Sequence, residues 1–208
     1  MFKHFGIALT TLSLLVAPAL ADDGWGSNSE YVYSVGGVFV APPPTKPIVR
    51  CRSSSNICIA LEFLADDALL DVWGSDAENV YVVGNKGAIA RCSAATNVCN
   101  RLNSGTTADL KSVWGSDAVN VYVVGVGTIL RCQAGSENCT PLAHGTNATF
   151  TSVWGRNVND IWAVGKDGLL LKWNGVVWTQ ISTGEIRYYK GVFGSRSGDV
   201  WFVTDNVL

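Results

Sequence analysis

The chain has 208 residues, 15 basic and 17 acidic side chains for a net charge of −2, and 48% hydrophobic content with eight tryptophans and one methionine. That charge balance excludes the basic footprint of a nucleic-acid binder. The apolar content excludes a disordered chain, and the tryptophan excess is foreign to a helical bundle.

At the N-terminus, Lys3 and His4 precede an apolar run over 5–16, then Pro18 and the small-residue pattern Ala19-Leu20-Ala21. This reads as a secretory signal over 1–21, cleaved after Ala21, so that a soluble mature chain begins near Asp22. The run is too short to span a bilayer, no later stretch reaches the roughly 20 apolar residues that a membrane helix needs, and no cysteine occurs before Cys51 to carry a lipid. With Lys3 set aside, 14 basic groups face 17 acidic ones, a net charge of −3.

From there the chain aligns on itself. Gly24-Trp25-Gly26, Val72-Trp73-Gly74, Val113-Trp114-Gly115, Val153-Trp154-Gly155 and Val192-Phe193-Gly194 follow one another at steps of 48, 41, 40 and 39 residues. Eleven residues after each aromatic stands Gly36, Gly84, Gly125 or Gly165, with Thr204 in the last copy. Constant internal spacing means one supersecondary unit repeated. The units run approximately over 22–64, 65–106, 107–146 and 147–186, with a partial fifth over 187–208.

The first unit carries an insert. Gly36 to Cys51 spans 15 residues where Gly84 to Cys92 spans eight, and it holds Pro42-Pro43-Pro44 and Lys46-Pro47, the composition of a stiff solvent-facing excursion. The third unit shows the pattern most clearly. Strands are expected over 110–115, 121–124, 128–132 and 139–143, with turn chemistry at Ser116-Asp117-Ala118-Val119-Asn120 and a tight glycine turn at Gly125-Val126-Gly127. Four short hairpin-linked strands in about 40 residues form the blade of a β-propeller. Val80-Tyr81-Val82-Val83 and Val121-Tyr122-Val123-Val124 are apolar on both faces, which requires cover on both. Trp73, Trp114 and Trp154 are expected in the core between units.

Six cysteines in an exported chain predict three disulfides, Cys51 with Cys58, Cys92 with Cys99 and Cys132 with Cys139, each pair enclosing six residues in the third hairpin of its unit. In the fourth unit Trp173 and Trp178 take the cysteine positions, so a cross-strand aromatic pair replaces the bond. This equivalence marks the cysteines as structural, and neither a metal nor another cofactor is expected. Arg50, Arg91 and Arg131 precede the first cysteine of each pair, with Lys172 in the fourth unit, and are expected to be exposed or to form ion pairs between units.

With Trp173-Asn174-Gly175-Val176-Val177-Trp178 and the Val-Trp-Gly and Val-x-Val-Gly patterns in view, the repeats resemble those of secreted bacterial propellers of the tectonin and neuraminidase-repeat type. The resemblance implies binding of glycans, peptides or proteins, and sometimes glycoside hydrolysis. No Ser-x-Asp-x-Gly-x-x-Trp box is present, so no catalytic residue carries over.

The expected fold is therefore all-β, four complete four-stranded blades and part of a fifth, either an open array or a fragment of a larger propeller, because the sequence stops at Leu208 where a third strand should begin. The expected function is an exported, non-catalytic module, secreted, periplasmic or at the cell surface, that binds a protein or carbohydrate ligand. A sialidase-like glycoside hydrolase or lyase using Asp66, Asp67 or Glu185 is the enzymatic alternative, and a purely structural surface protein is a third. Loops after the second and fourth strands of a unit share one end. Pro43, Lys46, Asn85, Lys86, Lys166 and Asp167 lie there and are the candidate ligand contacts.

Overall fold

In the computed structural model the described residues are 23–27, 31–36, 48–55, 57–61, 63, 68–184, 186–195 and 198–205. Residues 1–21, Pro43, Lys46, Asp66, Asp67 and Glu185 lie outside them, together with most of the proline insert.

The first unit is an antiparallel sheet of β1 (Asp23–Ser27), β2 (Tyr31–Val35), β3 (Ile48–Arg52) and β4 (Ile57–Leu61). The second holds β5 (Leu69–Gly74), β6 (Val80–Gly84), β7 (Ile89–Ser93) and β8 (Val98–Arg101) in the same order. The third holds β9 (Leu110–Asp117), β10 (Asn120–Gly125), β11 (Thr128–Cys132) and β12 (Thr140–Pro141). The fourth holds β13 (Phe150–Asn157), β14 (Asp160–Gly165), β15 (Leu170–Trp173) and β16 (Trp178–Gln180). A hairpin of β17 (Tyr189–Gly194) and β18 (Val200–Thr204) follows. First strands meet first strands, β1 on β5, β5 on β9, β9 on β13 and β13 on β17, so they form the inner layer and the fourth strands form the rim.

The Val-Trp-Gly repeat has a direct steric reason. A Cβ at Gly115 would stand 2.5 Å from Cη2 of Trp73, and one at Gly155 would stand 2.6 Å from Cη2 of Trp114. Trp154 meets Gly194 in the same way. The six-membered ring of each indole thus occupies the space beside the glycine of the next unit, where only a missing side chain leaves room. Around these contacts Tyr81, Val83, Leu110, Val121 and Val123 share one inter-unit core, and Tyr122, Val124, Phe150, Ile161 and Ala163 share the next. Val80, Tyr81, Val82 and Val83 are all fully buried, as a strand covered on both faces must be.

A second inter-unit tie lies one residue before the valine. Asp71 Oδ2 accepts from Val113 N at 2.7 Å, Ser112 Oγ from Val153 N at 3.3 Å and Ser152 Oγ from Val192 N at 3.2 Å. The fifth hairpin has Gly191 there, which supplies no acceptor. On that hairpin Phe193, Trp201 and Val203 are 53%, 58% and 47% exposed, whereas Trp201's counterparts Tyr81 and Tyr122 are buried by the following unit.

Two sequence expectations are corrected. The fourth strand of the third unit is only Thr140–Pro141 and does not span 139–143. Pro141 has no N–H to give, and the residues before it bond backwards, Cys139 N to Asn103 O at 2.9 Å and Asn103 N to Glu137 O at 2.8 Å. In the Gly125-Val126-Gly127 turn only Gly127 has positive φ, +61°. Gly125 is required by close approach, since a Cβ there would stand 2.9 Å from Leu110 Cα.

All three disulfides join the expected partners, the first two across a strand pair and the third from the end of β11 to Cys139 just before β12, with Cα separations of 3.9, 3.9 and 4.3 Å. Cys51 faces Cys58 and Cys92 faces Cys99 in register, and Trp173 faces Trp178 with ring centroids 5.4 Å apart.

Candidate functional site at the loop and linker end

The second-to-third-strand loops and the linkers between units lie together. Gly87 N donates to Ala108 O at 2.8 Å, Gly127 N to Ala148 O at 3.1 Å and Gly168 N to Arg187 O at 2.7 Å. In each case the loop of one unit grips the linker that leaves the same unit. In the second unit Lys86 adopts φ +52° and its N–H also reaches Asp109 Oδ1 at 3.2 Å, so the loop holds Lys86 on the surface in a fixed left-handed turn. Asp167 takes the matching conformation in the fourth unit, φ +56°. The linkers repeat a glycine at positive φ, Gly105, Gly145 and Gly184, each with open space where a Cβ would point.

Lys86 lines a cleft of about 440 Å³ with Arg101, Asn103, Ser104, Thr106 and Thr107. Ser104 is buried and donates to Thr106 O at 3.1 Å, while Thr106 Oγ1 accepts from Ala108 N at 3.0 Å, so the linker wall is braced from within. Asn85 is half-buried and does not line this cleft; its backbone N–H is tied to Ala68 O at 2.9 Å. In the fourth unit Lys166 Nζ sits 5.9 Å from the Tyr188 ring centroid, and Ile186 on the same linker is 85% exposed. Val126, 41% exposed, occupies the loop between them in the third unit. The structure therefore brings Lys86, Lys166 and Asp167 to one end but on the loops of different units, with Lys86 in the cleft between its loop and the linker leaving the same unit. Sequence reasoning missed Arg101, Asn103, Ser104, Thr106 and Thr107; the recurring Ser104-Gly105-Thr106, His144-Gly145-Thr146 and Thr183-Gly184 patterns were the available signal.

His144 takes the place of Ser104 in the next linker. Burial against Phe150, whose ring lies 5.2 Å away, holds its pKa below the usual 6.5, against an opposing hydrogen bond with the Gly127 backbone. Its Nδ1 is buried without a hydrogen-bond partner.

At the opposite end the Ser-Asp-x-x-Asn turns are internally satisfied. Asp76 accepts from Asn79 Nδ2 at 2.9 Å and Glu78 N at 2.8 Å, and Asp117 from Asn120 Nδ2 at 2.8 Å and Val119 N at 2.9 Å. Partial burial alone would raise both carboxyl pKa values, but these bonds together with those from Ser75 and Ser116 outweigh it and lower them.

Of the two expected roles, exposure holds for Arg131, while Arg50 and Arg91 are half-buried; among the described residues none of the three forms an ion pair. Arg50, Arg91 and Arg131 stand directly opposite Tyr33, Tyr81 and Tyr122 in register. Arg50 donates to Ala94 O of the next unit at 2.9 Å and Arg131 to Asn120 Oδ1 at 2.6 Å. Among the described residues Lys172 alone of the four basic groups forms an ion pair, 3.4 Å from Asp160, with its Nζ 4.8 Å from the Trp162 ring centroid. Acceptors here are aromatic hydroxyls, amides and carbonyls because the facing strand offers tyrosine and not carboxylate. Among the described residues no group of three or more His, Cys, Asp or Glu side chains could hold a metal ion, and no helix is long and apolar enough to cross a membrane.

These sheets and their radial stacking match solved structures. A structure titled YCF48 bound to D1 peptide aligns with TM-score 0.63 at 15% identity over 87% of this chain and 59% of its own. The WD40 repeats of RRP9 align with TM-score 0.62 and the structure of U3-55K with 0.60, each at 11% identity over 78% of this chain and 52% of theirs. The fold is a β-propeller repeat array. The chain spans between half and three fifths of the propellers it resembles. No protein-family model matches it, and no curated protein does.

Proposed function

We propose that this chain is an exported propeller module of the tectonin and neuraminidase-repeat type that binds a protein segment at its loop and linker end. The observation that carries the reading is a division of labour among residues. The recurring Trp, Gly, Tyr and Asp side chains are consumed by stacking, turns and inter-unit ties. The loop and linker end instead presents exposed groups that differ from unit to unit, Lys86 with Arg101 and Thr107 in one cleft, and Lys166 near the Tyr188 ring with the exposed Ile186 on the same linker. Cations beside apolar side chains suit a peptide that alternates carboxylate and apolar groups. The signal over 1–21 and the three disulfides support an oxidising location outside the cytoplasm. One propeller of similar fold, in a structure titled YCF48 bound to D1 peptide, carries a peptide, which supports the protein reading over a glycan one.

A displayed random-peptide library selected against the folded chain tests this. Acidic, apolar-containing peptides should enrich, and Lys86→Glu or Lys166→Glu should each weaken them roughly tenfold, about 1.4 kcal/mol. Absence of enrichment, or enriched peptides indifferent to both substitutions, would overturn the reading.

A further inference from the structure

The rim of the array is made of fourth strands, each with one edge turned away from its own sheet. Native sheets blunt such edges with charge, proline or brevity, because unpaired N–H and C=O groups recruit another strand. Three of the four rim strands follow that rule. β8 carries the exposed Asn100 and Arg101, β12 is two residues long and ends on Pro141, and β16 is three residues long with Thr179 and Gln180 exposed. β4 does not follow it. At five residues it is the longest of the four, Ile57-Cys58-Ile59-Ala60-Leu61, with no charged residue and no proline, and Ile57 is 62% exposed.

The register decides which backbone groups this edge offers. Cys51 and Cys58 face each other with Cα atoms 3.9 Å apart, the closer spacing of a pair that exchanges no backbone hydrogen bonds. The ladder bonds of β4 therefore run from Ile57, Ile59 and Leu61 to Arg52, Arg50 and Ile48, and the backbone amides of Cys58 and Ala60 point away from β3. Both residues are exposed, and among the described residues no backbone hydrogen bond meets their outward groups.

The strand is also self-complementary about Ile59. Laid antiparallel on a second copy with Ile59 opposite Ile59, it sets Ile57 against Leu61 and Cys58 against Ala60, so large side chains meet large on one face and small meet small on the other. The same register makes each Cys58 and Ala60 pair a hydrogen-bonded one, which satisfies both outward N–H and both outward C=O groups of each copy. Charge does not oppose the approach, since the strand is neutral and the whole chain carries only −2.

We propose that β4 is a self-association edge through which two copies of this chain pair antiparallel about a two-fold axis, continuing the first unit's sheet from one copy into the other. The edge lies on the rim and does not depend on the reading given for the loop and linker end. A strand this short buries little surface, so the pair forms reversibly, with a dissociation constant on the order of 100 μM.

Sedimentation velocity of the folded, disulfide-bonded chain from about 5 to about 500 μM tests this, and the average mass should rise from monomer toward dimer across that range. Ala60→Pro removes an outward N–H and spares the β3–β4 ladder, and Ala60→Lys brings two like charges onto one face of the pair; each should weaken association at least tenfold with an unchanged far-UV spectrum. Gln180→Lys, at the matching place on β16, should leave association as it is. In the wild type the Cys58 and Ala60 amides should gain protection from hydrogen exchange as concentration rises, whereas those of Ile57 and Ile59, already bonded to β3, should not change. A chain still monomeric at the highest concentration, a dimer indifferent to both Ala60 substitutions or equally weakened by Gln180→Lys, or no gain of protection at Cys58 and Ala60 would each overturn the proposal.

Discussion

A glycine can be the most constrained residue in a blade. Trp73 and Trp114 each occupy the space that a side chain on the next unit's glycine would need, so Gly115→Ala and Gly155→Ala must push an indole out of place. Each substitution should cost about 1–3 kcal/mol, read as a lower urea midpoint at an unchanged slope. Gly105→Ala is the control for backbone strain alone, because φ is +68° but the space is open; it should cost only about 1 kcal/mol. Equal losses at all three positions would contradict the stacking account. His144 gives a pH dependence of known sign. Its folded pKa lies below 6.5, so the unfolded chain binds the proton more readily, and the stability that neutral His144 contributes is present above pH 6.5 and lost as pH falls through the lowered folded value. Urea midpoints measured from pH 7.5 to 5 should fall in the wild type and fall less in His144→Gln. Asp76 and Asp117 act in a lower window, their contribution present above the ordinary carboxylate pKa of 3.8 and lost as pH drops through the depressed values.

At the scale of the hairpin, two chemistries hold the same register. Cys92 faces Cys99 and Trp173 faces Trp178 at equivalent places on the third and fourth strands. Closing a loop of about eight residues should contribute roughly 2.5 kcal/mol in the chain-entropy model, so the Cys92→Ser, Cys99→Ser double variant should lose about that much, less any strain released. Because the tryptophans are in register, the Trp173→Cys, Trp178→Cys double variant should form a fourth disulfide after oxidative refolding, detected as no alkylation by a thiol reagent in denaturant. Two free thiols would show the pairs are not interchangeable. These features were legible because they recur: the Val-Trp-Gly spacing, the cysteine pairs and the doubly apolar second strands all follow the repeat. What did not recur was harder to read. The short β12 depends on Asn103 of the preceding unit bonding to residues 137 and 139, a contact made across units. The arginines' partners depend on register, which places Arg50 opposite Tyr33 and Arg91 opposite Tyr81, whereas charge alone suggested carboxylates. The linker wall of Ser104, Thr106 and Thr107 looked like ordinary polar loop until its internal bonds and the adjoining Lys86 were seen together.

At the scale of the whole molecule, stacking buries the repeated residues and leaves the loops and linkers to vary, which is why one array can present different groups in successive clefts. Lys86, Val126 and Asp167 occupy comparable loops and share one end, yet differ in charge and size. That pattern fits recognition of one extended partner crossing several units better than several identical ligands. The Ser-Asp-x-x-Asn turns at the other end are alike in the second and third units and already satisfied. The two ends are therefore expected to behave differently toward a ligand, and amide hydrogen exchange with a selected peptide bound measures that directly. The account predicts slowed exchange over 85–87, 103–108 and 166–168 with no change over 75–79 and 116–120. Protection confined to 75–79 and 116–120, with the loop and linker segments unchanged, would contradict it.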